Sequence, residues 1–226
     1  RLDDGAGCAF VGCRQEHFNC EVKVCLDFSP NEIGEEAGLT VWMDPYHHYE
    51  VFVSRENEAR IVSVHRRIGS LFARVARQPL PNGLVTLLVR ANRMFYSFAW
   101  VAEDGEERIL ATGETRYLST EVAGGFTGVY FALYASGNGR RSTTPALFDW
   151  FEYHNLENPG CLGIDSPLKQ LLKHERAREV LHRILPQLLA NPVADWQANF
   201  SLVDLSAMMP ESITAQQLLS LDRELR

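Results

Sequence analysis

The feature that most constrains this chain is a change in the period of its apolar residues near residue 154. Between residues 18 and 153, apolar side chains recur at every second position, in short runs separated by turn formers. Leu39, Val41 and Met43 form one such run. This alternation is typical of strands that bury one face, and many short strands favour two stacked antiparallel sheets. The first two thirds of the chain therefore predict a mainly β, two-sheet sandwich.

After residue 154 the apolar residues follow a helical period instead. Pro159 and Gly160 are typical of a linker, and a later leucine-rich stripe is interrupted at Pro186. Ser201 and Thr214 each begin a capping-box pattern. Because helices this short are marginal in water, we expect them to pack on one another or on the sandwich. The predicted organisation is a sandwich over residues 1–154, a linker over 155–162 and a small all-α bundle over 163–226.

Charge and hydropathy exclude two kinds of partner. The formal net charge of -7 argues against nucleic acid, which requires concentrated Lys and Arg. No apolar stretch approaches the roughly 20 residues of a membrane helix, so no membrane partner is expected. The polar opening at Arg1 predicts a processed or truncated start without a signal peptide. A soluble protein is expected, and the sequence leaves cytoplasmic and secreted locations open.

The cysteines do not follow metal-binding spacing. Cys8, Cys13, Cys20, Cys25 and Cys161 are an odd number and lack a zinc-type pair. On a single strand, Cys20 would face the core and Cys25 would point outward, so the two could not join one ligand cluster. Free thiols are the favoured interpretation, with a disulfide as the alternative.

Several ordered motifs resemble the C-terminal module of family-43 glycoside hydrolases of the β-xylosidase and α-L-arabinofuranosidase type. The motifs are residues 14–18 (RQEHF), 36–39 (EAGL), 117–129 (YLSTEVAGGFTGV), 133–139 (LYASGNG) and 148–153 (FDWFEY). This resemblance, over residues 3–154, implies a concanavalin-A-like jelly-roll sandwich. The helical tail resembles no family in this way.

The resemblance also implies a partner and a site residue. In family members a five-bladed propeller carries three catalytic acids, and a loop phenylalanine of the sandwich closes the propeller's sugar pocket. Phe126 matches that phenylalanine, and Gly124, Gly125 and Gly128 allow the tight loop that would expose it. An aromatic ring can stack on a pyranose. The alternative is that Phe126 is a core residue.

The chain also departs from the family pattern. With its start at Arg1, we expect the chain to lack the propeller, and the late start of its sandwich predicts a missing first strand. Glu106, Glu107 and Arg108 stand where relatives carry Trp after an Asp-Gly-Glu sequence. We therefore expect this position to pack differently from the family pattern.

Catalytic and metal-binding candidates within the chain are weak. Glu121, close to Phe126, is the acid of most interest, but hydrolysis of a glycoside needs two positioned carboxyls. His47 and His48 would point to opposite faces of a strand and are expected at the surface. Asp149 is a weak candidate for a structural calcium. We expect no catalytic residue and no other cofactor.

An aromatic group suggests a second way to bind sugar. Trp42 alternates away from the core-facing residues of its strand, and Tyr46 and Tyr49 lie close in sequence. Outward aromatic rings suit stacking on carbohydrate. The alternative is that a loop or the helical tail covers Trp42 as ordinary packing.

Three functions follow from these observations. The first is an accessory domain that completes the sugar pocket of a family-43 propeller and binds xylan or xylo-oligosaccharides. The second is a free-standing carbohydrate-binding protein, and the third is a structural module whose helical tail forms a homo-oligomer. The sequence leaves xylose and arabinose specificity open.

Overall fold

The computed structural model of the chain describes residues 2, 7–102, 104–125, 128–156, 162–189 and 195–225, with backbone alone at 195 and 196. The chain divides into two compact units, Arg1–Leu156 and Glu157–Arg226. None of the helices in the described residues is long and apolar enough to cross a membrane.

The first unit is built from antiparallel strands, which confirms the predicted sandwich. They are β1 (Cys8–Arg14), β2 (Cys20–Asp27), β3 (Glu36–Asp44), β4 (His47–Glu56), β5 (Ala59–Ile68), β6 (Leu71–Pro79), β7 (Val85–Ala91), β8 (Phe95–Val101), β9 (Glu107–Glu114), β10 (Tyr130–Ser136) and β11 (Leu147–Asn155). One sheet has the order β1-β10-β3-β4-β5-β6, and the other has the order β11-β2-β7-β8-β9. A 3-10 helix (Thr115–Leu118) and helix α1 (Thr120–Ala123) follow β9.

The core lies between the two sheets and follows from the alternation. Val22, Val24 and Leu26 of β2 are buried in the same cluster as Leu39 and Val41 of β3. Burial of side chains of this kind contributes roughly 1.5–3 kcal/mol each. The period-two pattern therefore marks the residues that hold the sheets together.

Two edge strands have no such pattern. β1 is exposed along most of its length, and β6 is also largely exposed, so neither shows one buried and one solvated face. The residues of β1 were not predicted as a strand for this reason. Backbone pairing with β10, from Cys8 opposite Ser136 to Arg14 opposite Tyr130, defines it instead.

The four described cysteines are free thiols, as predicted. Cys20 lies in the core cluster and Cys25 does not. The two residues are an odd number of positions apart on β2, so their side chains face opposite sides of the sheet. Cys25, on the other face of the strand, is nevertheless buried, with 7% of its surface exposed. Its strand β2 is paired on both sides, by β11 and β7. Cys161 lies outside the described residues.

The second unit consists of short helices. They are α2 (Leu168–Leu171), α3 (Glu175–Ile184), α4 (Pro186–Leu189), α5 (Asp195–Ala198), α6 (Leu202–Met208) and α7 (Ala215–Leu225). Pro186 begins a new helix after the break at Leu185, as its missing backbone donor requires. The Ser201 hydroxyl accepts from the Asp204 amide at 3.1 Å, and the Asp204 carboxylate accepts from the Ser201 amide at 3.1 Å. The predicted capping box at Ser201 is confirmed.

Candidate functional site

A cleft of about 520 Å³ opens in the first unit, where three connections meet. Its walls come from the β1–β2 connection, the β7–β8 turn and the segment after β9 that contains the 3-10 helix and α1. Gln15 and Phe18 belong to one resemblance motif, and Leu118, Glu121 and Val129 belong to another. The fold therefore brings two distant motifs to one place.

Gln15 holds one wall of the cleft in place through three hydrogen bonds. Its amide N–H donates to the Val129 carbonyl at 2.9 Å, and its side-chain Nε2 donates to the His17 carbonyl at 2.9 Å. The Tyr96 hydroxyl donates to Gln15 Oε1 at 2.8 Å. Burial raises the pKa of Tyr96, so the phenol keeps the proton that it donates here.

Tyr153 of β11 binds the backbone that follows Gln15 in the same wall. Its hydroxyl accepts from the amides of Glu16 and His17, each at 3.1 Å, and lies 3.2 Å from His17 Nδ1. Burial raises the pKa of Tyr153 to about 12. Together with Gln15, Tyr153 makes this wall a fixed structure rather than a loose loop.

The rim carries exposed aromatic and cationic groups. Phe18 is 58% exposed, and the Arg93 guanidinium lies 4.7 Å from the centre of its ring. Arg116 pairs with Glu114 at 2.6 Å and lies 5.0 Å from the centre of the Tyr117 ring. The rim thus offers an apolar ring beside positive charge, an arrangement that suits a polar partner with apolar faces.

Glu121 lies on α1 at the same rim and is exposed. A hydrogen bond with Ser119 lowers the pKa of its carboxyl. A general acid in glycoside hydrolysis needs a raised pKa. Because its pKa is lowered instead, the Glu121 carboxyl is a poor general acid and is suited to accept hydrogen bonds.

Two glycines end α1 and turn the chain. Gly124 and Gly125 both have φ of 76°, and a Cβ added at either position would meet no atom within 4 Å. This left-handed conformation favours glycine, and the surrounding space is open. Phe126, which follows directly, lies outside the described residues.

The sequence of residues 1–154 matches the family model of the beta xylosidase C-terminal concanavalin A-like domain. The chain belongs to this family. It is therefore a C-terminal domain of the type found in family-43 glycoside hydrolases, as the resemblance predicted.

Individual relatives agree with this membership. The non-reducing end alpha-L-arabinofuranosidase BoGH43B of Bacteroides ovatus is 37% identical over 150 residues, which cover 66% of this chain and 28% of that enzyme. The xylosidase/arabinosidase 43B of Humicola insolens is 28% identical, over 67% of this chain and 30% of that protein. A solved structure of Bacteroides ovatus Xyloglucan PUL GH43B aligns with a TM-score of 0.63 and 38% identity, covering 65% of this chain and 29% of that one. The chain thus spans less than a third of the length of these family members.

The predicted aromatic platform is not brought together. Trp42 does lie on the outer face of the six-stranded sheet, where its ring meets Phe10 at 5.5 Å and Tyr130 at 6.2 Å between centroids. Tyr46 is 58% exposed in the β3–β4 turn, with Arg67 5.7 Å from its ring centre. Tyr49 is 0% exposed and packs in the core, so its assignment to a surface platform is wrong.

The remaining candidates are placed separately. Asp149 is exposed in β11, and no group of three or more His, Cys, Asp or Glu in the described part of the chain could hold a metal. His47 is half-buried and pairs with Asp44 at 3.0 Å. His48 is 1% exposed, which contradicts the prediction of a surface histidine, because its outer sheet face is itself covered with large side chains.

Sequence reasoning missed the residues that fix the cleft. Tyr96 and Arg93 come from the β7–β8 hairpin, and Tyr153 comes from the last strand. Gln15 and Tyr153 do lie inside resemblance motifs, which was the one available signal. The bonds that Tyr153 accepts from Glu16 and His17 span 137 and 136 residues, so no local pattern could reveal them.

Proposed function

We propose that this domain acts as an accessory domain of a family-43 glycoside hydrolase and completes the sugar pocket of its catalytic propeller. The observation that carries the proposal is the cleft where residues 15–18 of one resemblance motif meet Leu118, Ser119, Glu121 and Val129 of the other. The Gly124–Gly125 turn belongs to the second motif. Phe126 follows that turn and is proposed to reach the sugar.

The physical design of the cleft supports this role. Gln15 and Tyr153 fix its backbone, and Phe18 stays exposed with Arg93 against its ring. A preorganised surface lowers the entropic cost of binding a partner domain or a sugar. The rim would therefore meet the propeller without rearrangement.

Chemistry within the cleft also favours an accessory role. The pKa of Glu121 is lowered, so this carboxyl is a poor proton donor at neutral pH. We propose that the catalytic acids are supplied by the propeller and that the domain contributes shape and stacking. The substrate class proposed from the relatives' names is xylose- or arabinose-containing glycosides.

The test compares a family-43 catalytic domain with and without this chain, using aryl xyloside and aryl arabinofuranoside substrates. We expect the chain alone to be inactive and to raise kcat/KM when added or fused to the catalytic domain. Phe126→Ala should remove most of that gain, while Leu84→Ala at an exposed apolar residue elsewhere should keep it. Hydrolysis by the pure chain, or full activity with Phe126→Ala, would contradict the proposal.

A second candidate function is carbohydrate binding without a propeller. The outward group formed by Phe10, Trp42 and Tyr130 favours it, because Phe10 and Trp42 keep part of their rings exposed. Affinity electrophoresis in gels with xylan tests it. Retention that Trp42→Ala abolishes would support this function, and unretarded migration would exclude it.

A further inference from the structure

The outer face of the six-stranded sheet contains a second cleft, of about 290 Å³. Cross-strand pairing places Glu50 beside His65 and His65 beside Arg74, while Phe52 pairs with Ser63 in the adjacent row. All five line the cleft. These five residues lie on β4, β5 and β6. The first cleft is formed elsewhere, by the β1–β2 connection, the β7–β8 turn and the segment after β9.

The floor of the second cleft is a buried carboxylate with several donors. Glu50 Oε1 lies 2.9 Å from His48 Nε2, and Glu50 Oε2 accepts from the Tyr134 hydroxyl at 3.2 Å. His65 Nδ1 lies 3.6 Å from the same Oε2. A carboxylate has about four acceptor positions, so the group can accept one further hydrogen bond from a ligand.

Ser63 supplies the observation that points to a ligand. Its side chain is 1% exposed and lines the cleft, and its hydroxyl has no hydrogen-bond partner among the described residues. Buried hydroxyls are almost always paired, because an unpaired one has lost its water without compensation. A ligand hydroxyl in the cleft would restore that bond.

The walls are aromatic. The His65 ring meets Phe52 at 4.6 Å and Phe72 at 4.9 Å between centroids, and Phe72 is 48% exposed. Apolar rings around a few directed polar groups are the usual composition of a site for a neutral polar molecule. The exposed Phe72 ring is positioned to cover an apolar face of such a ligand.

Charge selects among ligand classes. The carboxylates Glu35, Glu36, Glu50 and Glu56 line the cleft against the cations Arg55 and Arg74, which disfavours an anion. Glu56 is paired with Arg74 and also with Arg77, at 2.9 Å to the latter, so the charge at this end of the cleft is balanced. In the described residues no cluster suits a metal ion.

We propose that this cleft binds a neutral polyhydroxylated ligand, with a sugar unit donating to Glu50, exchanging a hydrogen bond with Ser63 and packing on Phe72. The class of ligand follows from the lining groups, and the choice of pentose probes rests on the proposed function. The site would hold a carbohydrate chain on a surface separate from the pocket-completing cleft.

Isothermal titration calorimetry of the 226-residue chain with xylotetraose, and separately with arabinotetraose, tests the proposal. We expect one of the two probes to bind and both Phe72→Ala and Ser63→Ala to lower its association constant roughly tenfold. Leu84→Ala, which removes an exposed apolar side chain from another surface, is the matched control and should bind like the parent chain.

Ser63→Ala also separates binding from folding. Because its hydroxyl has no hydrogen-bond partner among the described residues, removing it should leave the melting temperature unchanged or higher while affinity falls. Absence of binding by both probes, or binding that neither substitution weakens, would overturn the proposal. Neither outcome bears on Phe126, whose effect is measured as hydrolysis with a catalytic domain.

Discussion

The Tyr96 hydroxyl donates a 2.8 Å hydrogen bond to Gln15 Oε1, joining β8 to the connection between β1 and β2. Gln15 is bound on its backbone side as well, through the Val129 carbonyl. The first cleft thus depends on a bond between residues 81 positions apart.

Tyr96→Phe should remove this bond and leave Gln15 Oε1 without its donor. We expect the free energy of unfolding to fall by about 1 kcal/mol, the usual net value of one such hydrogen bond. Urea denaturation followed by tryptophan fluorescence measures the change. Tyr46→Phe is the control, since that ring is exposed in a turn. A parent-like urea midpoint for Tyr96→Phe would mean that the bond to Gln15 does not stabilise the fold.

Gly113 is required by the burial of Tyr49. A Cβ at Gly113 would lie 2.6 Å from Cε2 of the Tyr49 ring, which is packed in the core and bonded through its hydroxyl to the Glu114 carbonyl at 2.9 Å. Gly113→Ala should therefore destabilise the domain by about 1–3 kcal/mol through overpacking.

Thermal unfolding of Gly113→Ala beside Thr112→Ala checks this prediction. Thr112 precedes Gly113 in β9 and faces the other side of the sheet, so its substitution should have a small effect. Equal melting temperatures for Gly113→Ala and the parent chain would show that the Tyr49 ring can move aside.

Sequence periodicity predicted strands such as β2 and β3 and failed for the edge strands β1 and β6. Every second residue of β2 and β3 lies in the core cluster, whereas β1 and β6 are largely exposed and have no such pattern. Tyr49 was misassigned although it shares its strand face with Val51 and Val53, both in the core. A tyrosine can be buried or exposed. At Tyr49 the alternation of the strand was a better guide to burial than the polar hydroxyl.

The clefts were less predictable than the sheets. Motif order identified residues 14–18 and 117–129, but their meeting depends on long-range pairing of β1 with β10. Glu50 and His65 carry no sequence signal as a pair, because they become neighbours through the register of β4 with β5. Glu50 is buried, with His48 of its own strand and Tyr134 of β10 against its carboxylate.

The capping box at Ser201 gives a prediction for the helical unit. Ser201→Ala removes the acceptor for the Asp204 amide and should destabilise α6 by about 1 kcal/mol. Faster amide hydrogen exchange in α6 of the full chain would show it. Ser220→Ala is the control, since its hydroxyl bonds back to the Gln216 carbonyl within α7 and alanine is well suited there. Unchanged exchange in Ser201→Ala would mean that packing alone holds the start of α6.

Glu50 should make the stability of the sandwich depend on acid pH. Burial by itself would raise the pKa of this carboxyl, but hydrogen bonds and charge from His48 and His65 outweigh it and lower the pKa from 4.5 to about 2. A carboxyl with a lower pKa in the folded state binds fewer protons than in the unfolded state. Its contribution, on the order of 3 kcal/mol, is therefore present above pH 4.5 and is lost as pH falls towards 2.

Urea unfolding of Glu50→Gln and the parent chain between pH 7 and pH 2 tests this dependence. The variant should be less stable at pH 7, and the difference between the two curves should shrink towards zero as the parent's Glu50 is protonated. Glu106→Gln, at an exposed turn, should follow the parent curve. A difference between Glu50→Gln and the parent that stays constant over the whole range would show that the carboxylate charge does not stabilise the fold and that Glu50 acts there through its shape alone.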